Sequence, residues 1–337
     1  MRRQPTTVVL LIVLTILMLD LTSCKGCPDS KTVSTDAVRS SSLRSPKCCA
    51  SDLLPDRPPS GVVRLAIGGD SRDDYAKVLP WAFQEARKRG ANAFLFLGDM
   101  EITRSADYHF KSQLKELGIP FYPVLGNHEV ELLGLVRIFG GNHAVKEFKE
   151  DFLPASGINP APLPNQVVYS ADLGNSIHFI ALDNVSQRHE GFGHDQLVWL
   201  EKELKAARAA NKLILVGMHK GLANSPVTKH TMEEDGVNAI RDSDAALALF
   251  KQYNVAMVFV CHSHMYAAYS QDGIEIRLTG GLGAPLVKGL AEADGGFHHF
   301  ILLDVPPVAN RGALQVQLVK FPRKPVRDDK DETLEVE

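Results

Sequence analysis

The sequence has no surplus of basic charge. Its 337 residues carry 37 Lys and Arg against 40 Asp and Glu, a formal charge of -3. A nucleic-acid-binding domain is usually strongly basic, so no nucleic-acid-binding feature is present. There is also no apolar run of membrane-spanning length. Val8 to Leu19, broken only by Thr15, is twelve residues long, where a spanning helix needs about 20. No internal repeat occurs. Residues 25–60 contain no aromatic residue, eight Ser and five Pro, so they cannot build a core and read as a tether. Cys27, Cys48 and Cys49 lie in that tether, and no second pair stands at zinc-finger spacing. Outside the cytoplasm they could pair, although the adjacent Cys48 and Cys49 would form only a strained ring.

What is present starts at the N-terminus. Arg2 and Arg3 precede the twelve-residue apolar run, the layout of a signal peptide. The following "LTSC" (21–24) resembles a bacterial lipobox, which implies cleavage before Cys24 and lipidation of its thiol. Several acyl chains would then anchor the protein to a membrane. Lys25 after the cysteine resembles outer-membrane sorting. The expected location is therefore the cell envelope, on the outer membrane facing the periplasm or exterior if the cell has one. The expected segments are a lipoprotein signal peptide over 1–23, a tether over 24–60, one folded domain over 61–322 and a charged tail over 323–337.

The folded part alternates strand and helix patterns. Apolar runs at 62–67, 93–97, 121–125, 212–218 and 255–260 have strand length. Helical spacing covers 73–89, 105–117, about 143–151, 195–210 and 238–253. Pro80 threatens to kink or shorten the first helix. Two segments around Gly174-Asn175 read as a hairpin. Three late segments, "EIRLTG", "HHFILLDV" and "ALQVQLVKF", read as antiparallel strands. The class is α/β with added hairpins.

The residues just after the apolar runs carry the chemistry. They are Asp70, Asp99, Asn127-His128, His219, and His262 with His264. Ligands gather at the carboxyl ends of strands in open α/β sheets. Five strand ends thus deliver two carboxylates, one amide and four imidazoles, a donor set suited to Mn, Fe or Zn.

"GD" at 69–70, "GD" at 98–99, "GNHE" at 126–129, "MH" at 218–219 and "CHSH" at 261–264 resemble the ordered motifs of the calcineurin-like metallophosphoesterases, a group that includes the purple acid phosphatases. The resemblance implies a four-layer α/β/β/α sandwich of two mixed sheets flanked by helices. It implies one or two metal ions: Asp70 and His264 on the first, Asn127, His219 and His262 on the second, and Asp99 bridging. It makes His128 a general acid facing the phosphate. The implied reaction is metal-dependent hydrolysis of a phosphomonoester or phosphodiester. The competing expectation is a non-catalytic envelope lipoprotein that binds phosphorylated ligands through a degenerate site.

Two positions depart from that pattern. The first motif is usually Asp-x-His, and here it is Asp70-Ser71-Arg72. The purple acid phosphatases use a Tyr three residues after the second Asp, and here that residue is Ile102. Arg72 cannot ligate a metal, because its guanidinium stays protonated and offers no lone pair. Three readings stay open: Arg72 points inward and binds phosphate; two metals bind and water or a residue such as His109 or His194 fills the gap; or the site is damaged. The other departure is Cys261 where Gly is common, read as packing. Lys220, Asn224, Lys229 and His230 follow His219 in a loop, either at the substrate mouth or on a polar surface.

Overall fold

The computed structural model describes residues 54–72, 74–100, 104–131, 145–146, 148–153, 157–187, 191–307 and 314–322. The expected signal segment, Cys24, Cys27, Cys48, Cys49, Ile102 and the expected tail from 323 lie outside the described residues.

Eleven strands are described. The first sheet is built from β1 (Val63–Gly68), β2 (Ala93–Phe96), β3 (Phe121–Pro123), β10 (His299–Val305) and β11 (Gln315–Lys320), in the order β11-β10-β1-β2-β3. The second contains β4 (Tyr169–Leu173), β5 (Ile177–Ala181), β6 (Leu213–Gly217), β7 (Met257–Val260), β8 (Tyr266–Gln271) and β9 (Ile274–Thr279), in the order β4-β5-β6-β7-β9-β8. Both are mixed. β1, β2 and β3 run parallel, and so do β5, β6, β7 and β9, while the pairs β1–β10, β10–β11, β4–β5 and β8–β9 are antiparallel.

Strand alternation builds the layers. Phe179, Leu215 and Phe259 enter a core shared with Leu65, Phe94 and Phe300 of the first sheet. Their neighbours Ile180, Val216 and Val258 turn to the opposite face. There they meet Leu200, Leu204 and Ala207 of α4 (Gly193–Ala209) and Ala246 and Phe250 of α5 (Val237–Gln252). On the other flank, α1 (Val78–Lys88) and α2 (Arg104–Leu117) cover the first sheet, with Phe83 packed edge-on against Phe94 and Phe110, and the short α3 (Asn127–Glu131) follows β3. Such aromatic pairs contribute about 0.5–1.5 kcal/mol each beyond their buried area. The result is the expected sandwich of two mixed sheets between helices.

Three local outcomes differ from the sequence reading. α1 begins at Val78, not at 73, because both Asp74 carboxylate oxygens accept backbone N–H groups, from Lys77 and Val78. Pro80 thereby falls in the first turn, where its missing N–H costs nothing. β8 was not anticipated, since "YAAYSQ" is half-exposed and shows no alternation. Leu54 packs in the core, and Pro55 and Asp56 lend carbonyls to the buried Arg64, so the ordered domain starts ahead of residue 61. Arg64 also pairs with Asp304 through two hydrogen bonds of 2.7 and 2.8 Å.

Candidate metal centre

The loops after β1, β2, β3, β6 and β7 meet at one edge. Backbone bonds lock them together: Asp70 N–H donates to Gly98 O (3.0 Å), Arg72 N–H to Asp99 O (2.9 Å) and Cys261 N–H to His219 O (2.9 Å). Asp70, Arg72, Asp99, His262 and His264 all have positive φ, between 43° and 72°. Non-glycine residues rarely take that conformation, and each costs on the order of 1–3 kcal/mol. Five of them on one edge mark a place where side-chain direction outweighs backbone comfort. The close approach also explains the glycines of the motifs. A Cβ on Gly126 would lie 2.1 Å from Asp99 N, and one on Gly98 would lie 2.7 Å from both Gly126 and His219 Nδ1.

His219 is the hub. Its Nδ1–H donates to Leu97 O at 2.9 Å, so Nε2 presents a lone pair. That atom lies 2.8 Å from Asn127 Oδ1, 3.2 Å from Asp99 Oδ1 and 3.2 Å from His262 Nδ1. All four residues are buried. Burial holds the His219 and His262 imidazoles below their ordinary values. Donor atoms crowded together in this way repel one another unless a cation lies among them. The set fits the borderline divalent metal that the chemistry calls for.

Asp70, Asp99 and His264 form a second, looser group with donor atoms within 4.8 Å of one another. Asp70 is fully buried, and its Oδ2 accepts His262 N–H at 2.7 Å. Its Oδ1 has no hydrogen-bond partner and faces His264 Nε2 at 3.9 Å. Burial, reinforced by the Asp99 carboxylate, pushes the Asp70 carboxyl well above its usual range. His264 Nδ1 is turned to Pro285 O at 2.8 Å, which leaves Nε2 free.

Arg72 points into this edge. Its Nε lies 3.6 Å from Asp99 Oδ2, and its Nη1 contacts His128 Nδ1. A guanidinium only donates, so Nδ1 of His128 accepts and the ring proton sits on Nε2. Both residues line a cavity of about 510 Å³ together with Asp99, Asn127, His262 and His264. Every motif residue named from the sequence is thus brought to one place. His194 is not: it is exposed on α4 and does not line the cavity.

Other residues escaped the sequence reading. Glu129 Oε2 accepts both Asp99 N–H (3.0 Å) and Gly126 N–H (2.7 Å), tying two loops together. Its signal was the last letter of "GNHE". Glu234 arrives on the turn Met232–Asp235, which Thr231 caps, and it lines the cavity with Lys220 and His230, which the sequence put at the substrate mouth or on a polar surface. His230 stacks on His262 with ring centroids 4.0 Å apart. Lys220 is buried and bonded to both oxygens of Asp235 at 2.8 Å, which pins this turn. Cys261 is buried, its thiol donates to Leu97 O at 2.8 Å, and burial raises the thiol's pKa; its sulfur also lies within 4.8 Å of donor atoms of Asp70 and His219.

A family model described as calcineurin-like phosphoesterase matches residues 49–266, which include every residue of this edge. The chain belongs to the calcineurin-like phosphoesterase family. Solved structures share the calcineurin-like fold at low identity. The anchor protein GAP50 of the Plasmodium inner membrane complex is 12% identical, with 78% of this chain and 90% of that chain covered and a TM-score of 0.50. A dimetal phosphatase from Danio rerio is 13% identical, with 77% and 99% covered and a TM-score of 0.49. No curated protein sequence matches the chain. Metal dependence is a property of this phosphoesterase family, and the buried donors above supply candidate ligands.

Proposed function

We propose that the chain hydrolyses a phosphomonoester or phosphodiester at the metal centre described above. The observation that carries this reading is the juxtaposition of two chemistries. A buried donor set surrounds His219 Nε2, and a guanidinium and a proton-bearing imidazole share the cavity beside it. Asp99, Asn127, His219 and His262 would hold a divalent ion. Bound there, such an ion polarises a phosphoryl oxygen and lowers the pKa of water.

The chain's own residues do the rest. Arg72 binds phosphoryl oxygens, for which a guanidinium offers paired N–H groups. The Arg72–His128 contact leaves the ring proton of His128 on Nε2, which can donate a hydrogen bond to the leaving oxygen as negative charge develops on it. Asn127 contributes a carbonyl oxygen without adding negative charge beside an anionic substrate. Cleavage of an aryl phosphate and of its diester, with Mn, Fe or Zn supplied and then chelated, tests the reading. Metal-dependent turnover supports it. Phosphate binding without turnover would instead favour a non-catalytic phosphoester-binding protein.

The same reading places the enzyme at the cell envelope through a lipid on Cys24. Cys24→Ala would move the protein out of the membrane fraction. A variant still processed and still membrane-bound would defeat the anchor.

A further inference from the structure

We propose that this centre holds one tightly bound ion, on Asp99, Asn127, His219 and His262, and that the Arg72 guanidinium stands where a second ion would be needed. The inference rests on the hydrolytic reading above and specifies its metal count.

The Asp99 carboxylate decides the matter. A carboxylate that bridges through both oxygens gives one to each of two ions. Here Oδ1 faces His219 Nε2 at 3.2 Å and Oδ2 faces Arg72 Nε at 3.6 Å. The carboxylate therefore bridges a metal site and a fixed organic cation. Arg72 is not there by chance of a long side chain. Its N–H is bonded to Asp99 O at 2.9 Å and its φ is +51°, so the backbone itself aims the residue across the β2 loop. His128 Nδ1 then receives its Nη1.

The donors left for a second ion are few and partly engaged. Asp70 spends Oδ2 on His262 N–H. His264 Nε2 and Asp70 Oδ1 lie 3.9 Å apart, a looser pair than any contact around His219 Nε2. Two residues after Asp70, where an imidazole would complete the set, stands a group with no lone pair and a permanent positive charge. A divalent ion placed there would meet a like charge at close range. In this arrangement Asp70 acts chiefly on the backbone, holding His262 in its left-handed conformation, and Arg72 supplies charge to the phosphoryl group directly.

The test is a metal count that does not depend on turnover. The protein is loaded with Mn, desalted and measured by elemental analysis, with electron paramagnetic resonance to separate isolated from coupled Mn. The unmodified chain should hold one ion with an uncoupled spectrum. Arg72→His should hold two. His264→Ala should still hold one, with an affinity within about twofold of the parent. Arg72→Ala should raise KM for a charged substrate several-fold without adding an ion. Two ions in the unmodified chain, one ion in a folded Arg72→His, or loss of the ion in His264→Ala would each overturn the inference. A chain with one ion that cleaves no phosphoester would leave the count standing and defeat the hydrolytic reading; an active chain with two ions would do the reverse.

Discussion

His262 Nε2 lies 3.8 Å from Glu234 Oε2, while its Nδ1 turns to His219 Nε2 at 3.2 Å. The nitrogen on the Glu234 side is buried and has no hydrogen-bond partner. A metal-binding imidazole generally donates its other N–H to a carboxylate or carbonyl, which fixes the tautomer and strengthens the ligand. Glu234 is the carboxylate in place to do this, braced by His230.

Glu234→Ala should therefore weaken metal binding about 10- to 100-fold, the usual cost of losing such a partner. Competition against a chelating dye measures it, and the ion count at saturation should not change. An affinity within twofold of the parent would show that Glu234 does not orient His262.

Glu129 predicts a different signature. It accepts two buried backbone N–H groups from the loops that carry Asp99 and Asn127. Bonds to a charged acceptor are worth about 1.5–3 kcal/mol each, and unmet buried donors add a penalty. Glu129→Ala should lower unfolding stability by about 3 kcal/mol in the metal-free protein, read as a shift in urea midpoint. A loss below about 1 kcal/mol would mean that water replaces the carboxylate.

How much of this was legible beforehand follows from which signals are local. Asp70, Asp99, Asn127 and His219 could be placed because each ends a buried apolar run, and strand ends converge in this class of sheet. The direction of Arg72 could not, because it depends on a positive φ at residue 72 and a backbone bond to Asp99. Neither has a mark in the sequence. β8 was missed because its side chains alternate in neither polarity nor burial. Glu234 was missed because its partner His262 is 28 residues away, and a charged residue in a polar loop looks like surface.

His299 gives a pH prediction. Its ring is fully buried against Tyr266 and Phe297. Burial, with smaller contributions from His298 and Lys320, pushes its pKa down to about 4 from an ordinary 6.5. Between those values the unfolded chain takes up a proton that the folded chain refuses, so stability falls as pH drops through that window. The loss approaches about 3 kcal/mol near pH 4, at 1.36 kcal/mol per pKa unit. His219 and His262 add to the same limb in the metal-free protein. The measurement is thus a difference: His299→Phe should show a shallower fall than the parent between pH 6.5 and 4. Parallel curves would show that this ring does not titrate on unfolding.

His128 carries the sharpest mechanistic prediction. Its Nδ1 is occupied by Arg72, and its backbone N–H by Asp99 Oδ1 at 3.0 Å, so the ring is held with Nε2–H toward the cavity. Removing one donor to the negative charge that develops in a transition state costs about 10²–10³-fold in rate. That contribution shrinks when the leaving group is already a weak base. His128→Ala should therefore slow phenyl phosphate cleavage by at least ~10²-fold and p-nitrophenyl phosphate cleavage by much less. Metal content should stay at the parent value, because the imidazole donates to the leaving oxygen and does not ligate. Equal losses on both substrates would make His128 a phosphate-binding residue instead, and loss of the ion would make it a ligand.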